Sequence, residues 1–252
     1  AYHAHFTHRQ FPVMTLSHCL LLLTIAVSGS AASASEAEGN IDPWEPMNRR
    51  IFAFNETLDG YVLLPAAKGY RYVMPDPAER GVSNFIANIY EFNNAINALL
   101  QGRPGNAMRS TGRFLVNTTM GLAGLIDVAT PMGIEHTPAD FGQTLYEWGV
   151  SSGPFVMLPV FGPRTVSSAA GYFVDTYTSI PALMWPPEGS YSFWTVEAVD
   201  IRASLIKADD LVTGDRYIFI RNAYLQRREH FLTGEIQDSF SEQDQTEDYL
   251  EF

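Results

Sequence analysis

Apolar residues recur at intervals of three and four through most of this chain, and this spacing is the strongest constraint on its fold. Between Ala78 and Gln101, for example, Val82 and Phe85 fall on one face of a helix. A proline just before this segment and Gly102 just after it are normal start and stop signals. The same spacing predicts helices over six further segments: Met47–Tyr61, Arg103–Val116, Ala139–Trp148, Arg164–Asp175, Ser192–Leu211 and Asp215–Leu232.

Alternation with the period of two typical of strands is scarce, so the sequence predicts a mostly α-helical single domain over residues 42–234. Two segments inside it, 149–163 and 176–187, carry no charge and are rich in apolar residues, proline and glycine. Proline and glycine prevent long helices there, and ordinary surface loops are polar because water satisfies their backbone. These loops therefore either fill a core or contact lipid, and 4 Trp, 12 Tyr and 16 Phe favour lipid contact.

The two ends of the chain differ in composition from the domain between them. Leu20–Val27 is an apolar run of signal-peptide length, and Ala32–Ala34 supplies small residues for cleavage. Residues 1–34 are therefore predicted to be a removed signal peptide, and residues 35–41 a short linker. Residues 235–252 contain seven acids and no base, which predicts an acidic disordered tail.

The single cysteine, Cys19, lies at the start of the apolar run. A bacterial lipoprotein needs its cysteine at the end of such a run, so we expect the mature protein to have no lipid anchor. Removal of Cys19 also excludes thiol chemistry. The remaining histidines, His136 and His230, are too few for a His-rich metal site, so neither a metal nor a cofactor is predicted.

Acidic residues outnumber basic ones, with 28 Asp and Glu against 16 Lys and Arg and a formal net charge of −12. Nucleic acid is excluded as a partner because binding it needs a basic face. Anionic lipid surfaces would not attract the chain by charge, so membrane contact must come from apolar insertion.

The basic residues gather in the last two predicted helices: Arg202, Lys207, Arg216, Arg221, Arg227 and Arg228. Arginine binds phosphate well through its planar fork. Arg202, Lys207 and Arg221 are therefore candidates for a path taken by lipid headgroups. The alternative is ordinary pairing with acids on a wet helix face.

Catalytic motifs are weak in this sequence. Gly149–Gly153 matches the G-x-S-x-G pattern of esterases, with Ser151 as the nucleophile, but that pattern needs a strand before it and a helix after it. The preceding residues predict a helix end, and Pro154 follows directly. Glu135 and His136 are neighbours on a loop rich in proline and glycine, where a solvated position is more typical than a general acid–base pair.

Several blocks, in order along residues 42–234, resemble the MlaA (VacJ) family of bacterial phospholipid transport proteins. One block alone would be weak evidence, but seven in register are specific. They are Asp42–Asn55, Gly81–Phe85, Arg113–Thr118, Gly124–Ala129, Asp140–Leu145, Gly153–Pro159 and Arg221–Arg228.

The resemblance implies a ring-like arrangement of amphipathic helices in the inner leaflet of the outer membrane, around a central amphipathic channel. Family members take phospholipids that have strayed into the outer leaflet and pass them to a soluble periplasmic carrier, MlaC. They work in complex with trimeric porins, and no covalent chemistry is involved. This chain departs from most relatives at Cys19, which puts lipid anchoring in doubt, but not the channel.

The resemblance and the apolar loops together predict a lipid channel with a gate. The segment Phe52–Asn55 resembles the family helix that limits which leaflet the channel opens to, and we expect the gate itself within Gly153–Gly162. The candidate residues are Phe52, Phe54, Asn55, Gly153, Pro154, Phe155, Leu158, Pro159 and Phe161. Two alternatives remain: a secreted lipid esterase that uses Ser151, and a porin-binding scaffold that conducts no lipid.

Overall fold

The computed structural model describes residues 41–233, without the side chain of Asp210. The predicted signal peptide, nearly all of the linker, Cys19 and the acidic tail lie outside these residues. Nine α-helices occur in the described part: α1 Glu45–Leu58, α2 Leu64–Val73, α3 Asp76–Leu100, α4 Pro104–Thr119, α5 Phe141–Glu147, α6 Val166–Thr178, α7 Ile180–Met184, α8 Pro187–Leu205 and α9 Arg216–Thr233. Two short strands, β1 Phe155–Leu158 and β2 Gly162–Thr165, form an antiparallel hairpin. The prediction of a mostly helical single domain is confirmed.

The first predicted helix is longer than the apolar spacing indicated. A π-helical turn, Asp59–Leu63, joins α1 directly to α2. Pro65 has no N–H to donate to the carbonyl one turn back, and the wider turn accommodates that missing bond. The predicted end at Tyr61 was therefore wrong, and helical structure continues to Val73.

The long helix α3 begins and ends close to where the sequence predicted. Its Pro77 lies in the first turn, where no intrahelical N–H bond is lost. At its end, Gly102 adopts a left-handed φ of 70°, and the next residue, Arg103, donates its N–H to the Ala98 carbonyl at 2.8 Å. This tight reversal places α4 alongside α3.

The uncharged segment 149–163 was predicted as a loop, and the structure shows the β-hairpin there instead. Phe155 pairs with Thr165, and Leu158 pairs with Gly162. The next helix accordingly begins at Val166 and not at Arg164. Thr165 and Ser168 form a reciprocal capping box at its start, with Ser168 N–H donating to the Thr165 hydroxyl and Thr165 N–H to the Ser168 hydroxyl.

Two further boundaries differ from the prediction. Helix α8 begins at Pro187, five residues before Ser192, because proline is well suited to the first helical turn. It ends at Leu205, and a 3₁₀ segment, Ile206–Leu211, completes the predicted range. Within residues 41–233, each helix is too short or too polar to cross a bilayer.

Two small apolar clusters hold the described elements together. The first joins α3 to α7 and α8 through Ile86, Ile89, Ile180 and Phe193. The second joins the hairpin to α9 through Phe155, Met157 and Tyr217. The hairpin is therefore anchored to the domain through one face of β1.

Candidate functional site

The distribution of apolar side chains is inverted relative to a water-soluble globule. Among the described residues, with proline left out of both counts, thirty large apolar side chains are exposed, whereas nine apolar residues larger than alanine are buried. Tyr72 is 91% exposed and Tyr61 is 83% exposed. Soluble monomers seldom expose extensive apolar surface without a partner or membrane to cover it. This exterior is suited to an apolar environment.

The interior, in contrast, contains many polar groups. Nineteen polar or charged residues are buried in the described part, more than the large apolar ones. Helix α3 alone contributes five of them, Asn88, Glu91, Asn93, Asn94 and Asn97, and Arg113 of α4 faces them. A polar interior and an apolar exterior together make an amphipathic body.

Arg113 is the centre of a buried charge network between α3 and α4. Its Nε donates to Glu91 at 2.6 Å, and its Nη2 donates to Asp127 at 3.2 Å. Thr130 and the Ile134 carbonyl accept the remaining bonds. Burial opposes ionisation, but hydrogen bonds from Thr130, Arg113 and Asn117 hold the pKa of Asp127 at about 2. The charges in this network are therefore mutually satisfied.

His136, predicted to be solvated, is half exposed but reaches the same network. Its Nδ1 lies 2.8 Å from Glu91 Oε1. Burial would raise the pKa of Glu91, but hydrogen bonds from His136, Asn94 and Arg113 outweigh it and lower that pKa. The residue beside it, Glu135, is exposed. His136 thus serves the network and is not paired with Glu135.

Helix α1 holds the hairpin through two asparagines spaced two turns apart. The Asn48 side chain donates to the Phe155 carbonyl at 3.3 Å and accepts from Met157 N–H at 2.9 Å. The Asn55 side chain donates to the Leu158 carbonyl at 2.9 Å and accepts from Val160 N–H at 2.8 Å. These amides bond the edge of β1 as a neighbouring strand would.

The turn of the hairpin contains a strained residue. Val160 has φ of 69°, a left-handed conformation that is unfavourable for a β-branched side chain. The N–H of Val160 donates its hydrogen bond to the side-chain oxygen of Asn55, and this bond helps to hold the strained turn. The structure thereby brings the two predicted parts of the gate, Phe52–Asn55 and Gly153–Gly162, into direct contact.

The other predicted gate residues occupy different environments. Phe155 is fully buried, 6.3 Å from the Tyr217 ring centroid, and Phe52 packs against the same tyrosine at 5.6 Å. Phe54 and Phe161 are about half exposed. The remaining four lie along the hairpin: Gly153 and Pro159 are exposed, and Pro154 and Leu158 are half-buried. The gate candidates therefore divide into anchors and an exposed tip.

Two of the three predicted headgroup residues already bond carboxylates. Arg202 donates to Asp59 at 2.6 and 3.0 Å and to Asp209 at 2.7 Å. Arg221 lies 3.2 Å from Asp42. Lys207 is exposed on the 3₁₀ segment. The structure does not bring these three together with the hairpin tip as one cluster.

Sequence reasoning missed an arginine beside the hairpin tip. Arg164, on β2, places its guanidinium 4.6 Å from the ring centroid of Tyr172 on α6. Phe161 and Phe173 complete an aromatic cluster around that ring, with centroids 5.4 and 5.7 Å from it. A signal was present, since Arg164 is the first charged residue after sixteen uncharged ones.

Two largely buried carboxylates, Asp175 and Glu197, lie in the region of the Tyr172 aromatic cluster. Asp175 accepts from Phe141 N–H and from the Asn97 amide, both at 2.8 Å, and burial raises its pKa to about 6 despite these bonds. Glu197 accepts from the Tyr90 hydroxyl at 2.8 Å, and burial raises its pKa also. Neither carboxylate has an ion-pair partner within the residues that the structure describes.

An open apolar cavity of about 240 Å³ lies between α3 and α8. Its lining is almost entirely hydrophobic: Val82, Phe85, Ile86, Trp185, Gly189, Ser192, Phe193 and Val196. Water gains few hydrogen bonds from such walls, so the cavity favours an apolar occupant.

The local structure around Ser151 differs from that of an esterase nucleophile. Helix α5 precedes the loop and strand β1 follows it, which reverses the strand–turn–helix order that the G-x-S-x-G pattern requires. In the described part of the chain, no histidine is hydrogen-bonded to Ser151. Over the same residues, no group of three or more His, Cys, Asp or Glu side chains is placed to hold a metal ion.

Comparisons with known proteins agree with this architecture. The family model described as MlaA lipoprotein matches residues 40–231. Relatives from Shigella flexneri and Escherichia coli (strain K12), both named intermembrane phospholipid transport system lipoprotein MlaA, are 38% identical over 222 residues. Each match covers 85% of this chain and 88% of the relative. A relative of the same name from Haemophilus influenzae is 34% identical, over 82% of this chain and 86% of its own length.

A solved structure supports the same assignment. It comes from work on the structural basis for maintenance of bacterial outer membrane lipid asymmetry, is 39% identical and superimposes with a TM-score of 0.67. The match covers 76% of this chain and 99% of the solved chain. The inverted polarity, the order of helices around the hairpin and these matches lead to one conclusion: the chain belongs to the MlaA lipoprotein family.

Proposed function

We propose that this chain is an outer-membrane protein that transports phospholipids between membranes. The observation that carries the proposal is the inverted polarity, with apolar side chains outside and polar groups within. A phospholipid needs both environments, because its tails avoid water and its headgroup avoids hydrocarbon. The relatives named for intermembrane phospholipid transport support the same activity.

We infer further that the transported lipids are phospholipids misplaced in the outer leaflet of the outer membrane. They would cross an amphipathic channel within a ring of helices and pass to the periplasmic carrier MlaC, which maintains lipid asymmetry. A trimeric porin is the proposed membrane partner. The relatives are named lipoproteins, whereas the position of Cys19 predicts no lipid anchor for this chain. Attachment would then use the exposed apolar side chains.

The hairpin is the proposed gate of this path. Its tip is half exposed at Phe161, and its position is set by Asn55 through the strained Val160. Phe155 is a buried anchor, so Phe155→Asp would disrupt packing against Tyr217 and would report on folding. Leu158→Asp is the better gate variant, and it is expected to alter lipid transfer while the melting temperature changes little.

The apolar cavity between α3 and α8 is the proposed contact for an acyl tail. The headgroup role of Arg202, Lys207 and Arg221 stays a prediction. Arg202 and Arg221 could bind a headgroup only if their ion pairs with carboxylates opened or were shared with the phosphate.

Mass spectrometry of the purified full-length chain tests the proposal. We expect phospholipid to co-purify and, after reconstitution in vesicles, to transfer to added MlaC. The non-conducting scaffold predicts porin binding with neither co-purified phospholipid nor transfer. Absence of both signals from correctly folded protein would overturn the transport proposal.

A further inference from the structure

Arg164 differs from every other arginine that is not exposed in the described part of the chain. Eight such arginines lie within 4.0 Å of a carboxylate oxygen: Arg49, Arg71, Arg103, Arg113, Arg202, Arg216, Arg221 and Arg228. Over the same described residues, Arg164 has no such carboxylate. Removing an arginine from water without an anion is costly, so an unpaired one needs an explanation.

The geometry of Arg164 leaves its hydrogen-bonding capacity unused. Its Nε is buried and has no hydrogen-bond partner in the described residues. The guanidinium lies 4.6 Å from the Tyr172 ring centroid, and this contact orients the group without consuming a donor. The positive charge is felt by the ring hydroxyl, where it opposes the rise that burial causes in the pKa of Tyr172. The two Nη groups also make no hydrogen bond within the described residues, and an oriented fork of such donors is suited to an oxyanion.

The surroundings of this fork are apolar on one side. Phe161, which is 47% exposed, and Phe173, which is 40% exposed, pack around Tyr172. A free inorganic anion gains nothing from these rings. A molecule with an anionic group joined to hydrocarbon would contact both parts of the site.

The acids of the same region set a limit on affinity. Glu197 acts electrostatically on Tyr172, and Asp175 and Glu197 both act on Tyr90. Their negative charge weakens attraction for an anion. A bound anion would therefore be held briefly, which is what a transport path requires.

We propose that Arg164 and Tyr172 form a binding position for the phosphodiester of a phospholipid, with Phe161 and Phe173 contacting its hydrocarbon. This assignment rests on the proposed transport function and names the residues that receive the headgroup beside the gate. It differs from the predicted headgroup path, whose Arg202 and Arg221 already have carboxylate partners.

The test is calorimetric titration of the purified full-length chain in detergent with three probes: dihexanoyl phosphatidylglycerol, dihexanoylglycerol and inorganic phosphate. We expect Arg164→Gln to weaken phosphatidylglycerol binding about tenfold, as for loss of a charge-assisted bidentate bond. Arg164→Lys keeps the charge without the fork and is expected to lose part of that affinity. Arg109→Gln, an exposed arginine on α4, is the matched control and is expected to bind like wild type.

Each outcome separates the site from the function. Saturable binding to the wild type that Arg164→Gln leaves unchanged overturns the site but not the transport proposal. Failure of the wild type to bind phosphatidylglycerol overturns both. If Arg164→Gln weakens the binding of dihexanoylglycerol equally, the substitution acts through packing. If inorganic phosphate competes fully with phosphatidylglycerol, the site binds a free anion. Either result rejects the lipid assignment. An unchanged melting temperature of the variant confirms that its fold is intact.

Discussion

Arg113 is buried and Arg164 is partly buried, yet their surroundings are opposite. Arg113 meets Glu91 and Asp127 and donates from all three of its nitrogens. Arg164 meets an aromatic ring, with no carboxylate within ion-pair distance in the described residues. The ion pairs of Arg113 fix the α3–α4 interior in one arrangement. Arg164 has no such pair, so it is available to bind a transient ligand. The first region is structural, and the second is the better candidate for function.

The largest expected effect comes from breaking the satisfied network. Arg113→Met leaves Glu91 buried without its arginine partner and should lower the free energy of unfolding by about 3–5 kcal/mol. Arg164→Met removes only a cation–π contact and should cost about 1 kcal/mol or less. Denaturant unfolding of both variants measures the contrast. Similar losses for the two would remove the distinction between the regions.

Asp175 offers a test by pH, because its pKa is raised from an ordinary 3.8 to about 6. A raised carboxyl pKa stabilises the folded state below the unfolded pKa, and that stabilisation is lost as pH rises from about 4 to about 6. The stability of Asp175→Asn relative to wild type should therefore increase by about 2 kcal/mol between pH 4 and pH 7.

Asp215 is the control for this titration. Hydrogen bonding to Arg49 lowers the pKa of this exposed carboxyl, so its stabilising effect is lost as pH falls. Asp215→Asn should thus show a pH dependence of opposite sign, measured by the same unfolding curves. A flat difference for Asp175→Asn would mean that burial does not disfavour its charge.

Asn55 and Asn48 allow a finer comparison within the hairpin. Asn55→Ala removes the acceptor of Val160 N–H at the strained tip, and exchange of that amide should accelerate about tenfold. The N–H of Met157 donates to the Asn48 side chain. This amide should keep its protection from hydrogen exchange in Asn55→Ala and lose that protection in Asn48→Ala. Hydrogen exchange that accelerates at both amides in either variant would show that the hairpin opens as one unit.

The smallest expected effect is that of Ser151→Ala. Ser151 is exposed on the loop between α5 and β1, so transfer of phospholipid and the melting temperature should stay at wild-type values. Loss of transfer, or an ester hydrolysis activity that this substitution abolishes, would favour the esterase alternative.

The helices could be predicted from sequence because their signals are local. Apolar spacing, Pro77 and Gly102 all act within the segment they define, and α3 follows them closely. The hairpin could not, because all four residues of β1 are apolar and show no alternation, and β2 contains Gly162 and Pro163. Its support comes from Asn48 and Asn55, more than a hundred residues away in sequence.

The basic residues show a second limit of sequence reasoning. Their density near the end of the domain indicated Arg202 and Arg221, but density does not reveal whether a carboxylate already occupies an arginine. Arg164 is isolated in sequence and became distinct only when the ion pairs of the others were known. The resemblance to the family identified the region of the hairpin, while its contacts with Asn48 and Asn55 depend on residues distant in sequence.

Photo-crosslinking with a phospholipid that carries a diazirine in its acyl chain tests the central claim most directly. With the full-length chain in vesicles, we expect labelled peptides from the hairpin tip and α6, which contain Phe161 and Phe173, and from the cavity that contains Trp185. Labelling confined to strongly exposed residues such as Tyr61 and Tyr72 would mean that lipid surrounds the protein without entering it, and would contradict transport through its interior.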